Sequence, residues 1–236
     1  MGKTSSIKES KVNGHNGAVN MTETIFDKYK KQIAIVVVAI IVVVAGLLLY
    51  KAFVSGPREE KASTALAKGQ EYFNMEQFDK ALNGDGASYA GFLKISSDYS
   101  GTDAANLANL YAGICYANLG KWNEAIDKLE KFSPESDAMI SPAAVAALGN
   151  AYANTGNIDK AISKLQKAAD MADSKAENGA NMSISPTFRV QAAQLLESQG
   201  KKAEALKVYQ DIKKKYVNAS LVQSSEIDKY IERVSE

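Results

Sequence analysis

Gly113-x-x-Tyr116-x-x-x-Gly120-x-x-x-x-Ala125 returns as Gly149-x-x-Tyr152-x-x-x-Gly156-x-x-x-x-Ala161, displaced by 36 residues (161 − 125). Recurrence at a period of this size marks stacked supersecondary units, because one unit cannot bury its apolar face alone. The residue types describe two antiparallel helices. The first Gly lets the helices approach closely, Tyr fills the space between them, the second Gly turns the chain, and Ala lies where the next helix crosses.

Two weaker copies flank the clear pair. One has Ala193, Leu196, Gly200 and Ala205; the other has Gly69, Tyr72 and Ala81, with Glu76 where the turn Gly belongs. The outer spacings are 44 (125 − 81 and 205 − 161), so each holds extra residues. Asn83-Gly84-Asp85-Gly86 interrupts the first unit, and 174–185 loosely joins the third to the last. Ser141-Pro142 and Ser185-Pro186 predict an N-cap serine ahead of a proline that tolerates a missing N–H. Gly120, Gly156 and Gly200 predict helix ends, and second helices follow over 123–132 and 159–171. No period-two alternation marks a strand, so the fold is all-α. Ile227, Tyr230, Ile231 and Val234 keep the spacing of one amphipathic helix, expected to cap the last repeat. Residues 58–70 are expected to open the first.

The spacing resembles the tetratricopeptide repeat (TPR). That resemblance implies an α-solenoid of about four helix pairs plus a C-terminal capping helix, and a chain that holds other proteins.

Ahead of the repeats runs an apolar stretch of 18 residues without charge, from Ile33 to Tyr50. At about 1.5 Å per residue it is long enough to cross a bilayer. A core helix or a cleaved signal peptide fits less well: the first would carry more polar residues, the second a shorter apolar stretch and a small-residue cleavage site. Lys28, Lys30 and Lys31 precede the run, and only Lys51 and Arg58 follow closely. The positive-inside bias then keeps the N-terminus cytoplasmic and exports the rest, although a cytoplasmic adaptor of inverted topology stays open. The expected organisation is a disordered tail over 1–27, a signal anchor over 28–55 and an exported repeat domain over 56–236.

Catalysis finds little material. His15, the only histidine, lies in the tail, and Cys115, the only cysteine, reads as a buried small residue. Neither a Ser–His or Cys–His pair nor a His-bearing zinc site can form in the exported part. No Gly-rich phosphate loop occurs, and the segment after Asn83 lacks the alternating ligands of a calcium loop. Asn181-Met182-Ser183 and Asn218-Ala219-Ser220 match a three-residue glycosylation pattern that arises readily by chance. No catalytic residue, metal or cofactor is expected. From residue 54 onward 21 Lys and Arg face 24 Asp and Glu, a net of −3, which argues against nucleic acid as a partner.

The remaining candidate is the concave face. In TPR proteins certain first-helix places line an inner groove. By phase these fall on Leu107, Leu110, Ile114 and Asn118, then Asn150 and Asn154, then Gln194, with Ala146, Thr187 and Val190 among their neighbours. The three apolar residues of the first group suit core contacts to a neighbouring helix better than an open groove. Leu110, Ala146 and Val190 stand where a carboxylate clamp needs Lys, so the resemblance implies no recognition of chaperone C-termini. An apolar, amide-bearing groove suits an extended peptide or an unfolded client.

The order of parts narrows the resemblance. A short tail, the anchor Ile33–Tyr50 and a repeat domain phased by Gly113, Tyr116, Ala125, Gly149, Tyr152 and Ala161 resemble the ancillary subunit of the bacterial Sec translocon. That resemblance implies residence in the bacterial inner membrane, with a periplasmic domain. It also implies Sec channel subunits, a membrane-anchored periplasmic chaperone of the prolyl-isomerase type and unfolded exported clients as partners. The alternative is a structural scaffold for envelope assembly or cell division.

Overall fold

The computed structural model describes the backbone of residues 16–235 and the side chains from Tyr29 onward. Among these residues there are helices and no strands. They divide into two compact units, one ending at Gly56 and one beginning at Pro57.

The first unit is α1 (Asn16–Tyr50) followed by a π-turn at Lys51–Ser55, where the Gly56 N–H reaches the Lys51 carbonyl. Residues 16–27 were expected in a disordered tail, yet α1 already starts at Asn16; 1–15, with His15, lie outside the described residues. α1 holds the apolar run, and none of that window is buried.

The second unit stacks α2 (Gly56–Asn74), α3 (Phe78–Asn83), α4 (Phe92–Asp98), α5 (Asp103–Asn118), α6 (Trp122–Lys131), α7 (Ile140–Asn154), α8 (Ile158–Ser174), α9 (Ser185–Ser198) and α10 (Lys202–Lys215). The single turn α11 (Ser220–Gln223) and α12 (Glu226–Ser235) close it. Four helix pairs and a terminal helix result, as the repeat phase predicts.

Each pair turns in the same way. Glu76, Gly120, Gly156 and Gly200 adopt φ of 57°, 71°, 78° and 74°. The next residue's N–H then reaches back to Tyr72, Tyr116, Tyr152 or Leu196, at 2.9–3.0 Å. This six-to-one hydrogen bond satisfies a carbonyl the ending helix would leave bare. Glu76 thus holds, at a steric cost, a left-handed conformation the other repeats give to Gly. At the crossing, a Cβ on Gly113 would lie 2.5 Å from Leu129 Cγ, and one on Gly149 would lie 3.0 Å from Leu165 Cγ. Ala81, Ala125, Ala161 and Ala205, one per repeat, are fully buried.

The extra residues of the first repeat fall inside its second helix and split it into α3 and α4. The insertion spans 84–91, which accounts for the difference between 44 and 36. Its Asp85 accepts the N–H groups of Ala87, Ser88 and Tyr89 and, through its other oxygen, the Tyr72 hydroxyl, each at 2.9 Å. Those bonds, the Tyr89 N–H foremost, hold the carboxyl well below the usual range. The loop folds Tyr89 back into the core beside Gly69, with its hydroxyl on the Ala81 carbonyl at 2.7 Å. Arg58 donates to the Asp98 carbonyl at the end of α4, while Glu59 accepts the Asp103 and Ala104 N–H groups that open α5. Each charge therefore meets the helix end it complements.

The Ser-Pro signals need correction. Ser141 and Ser185 are buried and are not N-caps: Ser141 Oγ accepts the Glu135 N–H, and Ser185 donates to the Ala169 carbonyl. Capping belongs to the residue four positions earlier. Asp137 Oδ1 accepts the Met139, Ile140 and Ser141 N–H groups, and Asn181 Oδ1 accepts those of Ser183 and Ile184. The repeated element is therefore Asp/Asn-x-x-Ile-Ser-Pro at 137–142 and 181–186. Asn181 also donates its amide to the Ala138 carbonyl, joining the two loops; its place in a glycosylation pattern is a structural one.

The core runs through the unit as three linked clusters, with Leu107 and Tyr116 shared between the first two and Leu195 between the last two. One buried charge braces the final pairs. Asp173 accepts from Lys215 Nζ (2.6 Å), Tyr216 Oη (2.6 Å), Arg189 (3.2 Å) and the Asn181 N–H (2.9 Å), tying α8, α9 and α10 together. Burial pushes its carboxyl up, but the hydrogen bonds from Lys215, Tyr216 and the Asn181 N–H outweigh that and bring it to about 2.

Two measurements test this packing. Glu76→Gly should stabilise the protein by about 0.5–1 kcal/mol, and Gly156→Ala should destabilise it by about 1 kcal/mol through backbone strain, read by denaturant unfolding in detergent. The Asp173 carboxyl is depressed, so its contribution of about 2 kcal/mol is complete above the ordinary value near 4 and is lost as pH falls through about 2. The stability gap between the wild type and Asp173→Asn should be widest above pH 5 and close toward pH 2. A gap independent of pH contradicts the assignment.

Candidate interaction surface

The concave places of the last repeat open into a groove of about 620 Å³. From α9 come Thr187, Val190, Gln191 and Gln194; the opposite wall is Leu221, Glu226 and Tyr230. Val190 forms a nearly buried apolar floor, and Thr187 and Gln194 stand exposed above it. The Asn181 cap sets where α9 begins, and hence where these residues point.

α12 provides the second wall because its apolar stripe docks on α10. Ile227 and Val234 are buried, and the Tyr230 ring stacks on Tyr209 with centroids 5.4 Å apart. Arg233 reaches Glu197 on α9 through two hydrogen bonds of 2.7 and 3.0 Å, and the Tyr209 hydroxyl donates to the same carboxylate. Burial raises the Glu197 carboxyl, yet the Arg233 and Tyr209 bonds leave it lowered overall. Lys213 pairs with Asp228 at 2.7 Å. The helix expected only to shield the solenoid end thus also shapes the groove.

The sequence-predicted residues divide. Gln194 lies in the groove beside Thr187 and Val190, as their phase requires. Leu110 is a correction: it is 6 % exposed within the core of the second and third pairs and has no face to offer. Leu107 and Ile114 are half-buried and pack against that same cluster, because α7 follows so closely on α5. Asn118 and Asn154 are exposed on the last turns of α5 and α7, where each amide donates to its own helix, at Ile114 and Asn150 (both 2.9 Å). Half-buried Asn150 supplies that carbonyl. These asparagines finish helix ends first. Gln191, Leu221, Glu226 and Tyr230 were missed; the last three lie beyond the repeats, where repeat phase assigns no role.

A second hollow of about 700 Å³ lies between α2 and α4. Its charges are largely spent on neighbours: Lys94 pairs with Asp98 at 2.8 Å, and Lys68 donates to Ser88. Among the described residues, no group of three or more His, Cys, Asp or Glu could hold a metal. Cys115 is fully buried, and burial pushes its thiol up to about 12, so it stays protonated near neutral pH.

The family described as tetratricopeptide repeat-like domain matches residues 24–173, and that described as tetratricopeptide repeat matches 189–219. No individually curated protein matches the chain. Two crystal structures of nearly identical TPR-like repeats from Podosopora anserina, provisionally assigned to a kinesin light chain, superpose with a TM-score of 0.52. One of the two carries a single substitution. Each shows 13 % identity and covers 75 % of this chain and 94 % of the solved one. At that identity the likeness concerns fold alone. The first family match spans more than half of the chain and the second falls on its last repeat, so the chain belongs to the tetratricopeptide repeat-like domain family, whose repeats indicate a protein–protein interaction module.

Proposed function

We propose that this chain is a membrane-anchored interaction module. In this reading it is an accessory subunit of the bacterial Sec translocon that helps pass exported, still unfolded polypeptides to periplasmic folding factors. The observation that carries it is an unburied apolar helix joined to the repeats within one family match. That match begins at residue 24, ahead of Ile33, so the family's extent takes in the apolar run as well as the first repeats. Repeats alone would need no such helix.

The physical role of the anchor is concentration. A groove tethered to the bilayer samples a thin layer beside it, so weak contacts with an emerging chain recur at high effective concentration. Lysine asymmetry around the span favours a periplasmic repeat domain and a cytoplasmic N-terminus. The groove carries apolar and amide groups suited to an extended backbone. Sec channel subunits and a membrane-anchored chaperone of the prolyl-isomerase type are the fixed partners in this scheme.

Labelling intact cells with a membrane-impermeant thiol reagent tests the topology. In a Cys115→Ala background, Ser224→Cys should react from the periplasmic side and Ser6→Cys only after the membrane is opened. The reverse pattern contradicts export. Mild detergent extraction of the tagged chain should then recover channel subunits, and deletion of residues 57–236 should abolish that recovery. Recovery of envelope-assembly or division proteins without the channel would replace this reading with a scaffold.

A further inference from the structure

The charge of the last-repeat groove is one-sided. Among the residues lining it Glu226 alone is charged; no Lys or Arg is present, although the domain carries 21 of them. Of the cations on the neighbouring elements, Arg233 pairs with Glu197, Lys213 with Asp228, and Arg189 with Asp170 and Asp173, while Lys229 of α12 is not among the lining residues. Glu226 accepts one hydrogen bond, from the Tyr230 hydroxyl at 3.0 Å. On the facing helix, the Gln191 Oε1 is buried without a hydrogen-bond partner.

We propose that this groove selects extended peptide segments that place a basic side chain beside an apolar one. The apolar side chain fills the hollow above Val190, between Leu221 and the Tyr230 ring. The basic side chain meets Glu226. Gln194 and Thr187, exposed on α9, serve the backbone groups of the extended segment. A segment held in helical form spends its N–H groups internally and has none to offer Gln194 and Thr187. An acidic segment brings a second negative charge against Glu226 with no cation in the groove to offset it. The inference rests on the client-holding reading above and specifies its substrate class.

The test uses the full chain in detergent micelles and three fluorescent peptides of one apolar sequence, with Lys, Gln or Glu at a single central position. Fluorescence anisotropy should rank them Lys, Gln, Glu, with steps of about fivefold in Kd, the scale of one partly exposed charge pair. The steps should shrink as salt is raised. Glu226→Gln should level the three affinities while leaving the Gln peptide unchanged and the melting curve within a few degrees of wild type. Thr187→Arg, on the exposed rim, should weaken the Lys peptide most and narrow its lead over the Glu peptide, because it puts a cation in the groove. Equal binding of the three peptides to wild type overturns the selectivity and leaves client holding intact. A preference that survives Glu226→Gln overturns its assignment to this groove. Absence of binding by every peptide overturns the client-holding reading as well.

Discussion

Every level of this structure depends on closing two helices tightly against each other. Gly113 and Gly149 have no room for a Cβ at the crossing, and a left-handed residue at the turn returns a hydrogen bond to the helix just ended. Where both conditions are met, the fully buried Ala of the second helix lies in the contact. The pair alone still exposes an apolar face. Sharing Leu107, Tyr116 and Leu195 between successive clusters joins four such pairs into one linear core, so stability grows by nearest-neighbour contact.

The departures from the repeat are what individualise the chain. In the first pair an inserted loop divides the second helix, and Asp85 and Tyr89 rebuild the lost contacts. At the other end α8 runs long, and its Asp173 gathers cations from α9 and α10 and the Tyr216 hydroxyl just past α10. α12 then docks through an apolar stripe, leaving its Glu226 and Tyr230 to face α9. The groove is a consequence of ending the solenoid in this way. Its single charge comes from the closing helix.

Much of this was legible in sequence. A fixed spacing of Gly, Tyr, Gly and Ala reports directly on helix closure, so the number of pairs, their turns and the place of Glu76 follow from it. Phase also located Gln194, Thr187 and Val190 in the groove. It failed at Leu110, because a first-helix place can face either the open concavity or the next helix, and only the tilt between neighbouring pairs decides. The Ser-Pro signals misled for a related reason. The pattern that caps α7 and α9 starts four residues earlier, and a dipeptide reading stops short of it. Glu226 and Tyr230 lay outside any repeat, on a helix whose apolar stripe explains its docking and hides its other face.

The central claim is that the repeat domain holds emerging exported chains at the membrane. Photo-crosslinking in living cells tests it most directly, with a benzophenone side chain in place of Gln194 and an equivalent control at Lys201, on the turn joining α9 to α10. The account predicts adducts between position 194 and newly exported polypeptides, present during active secretion, lost when translation is stopped, and absent from position 201. Adducts formed equally at both positions, or at position 194 only with one folded protein whether or not secretion is active, would contradict it.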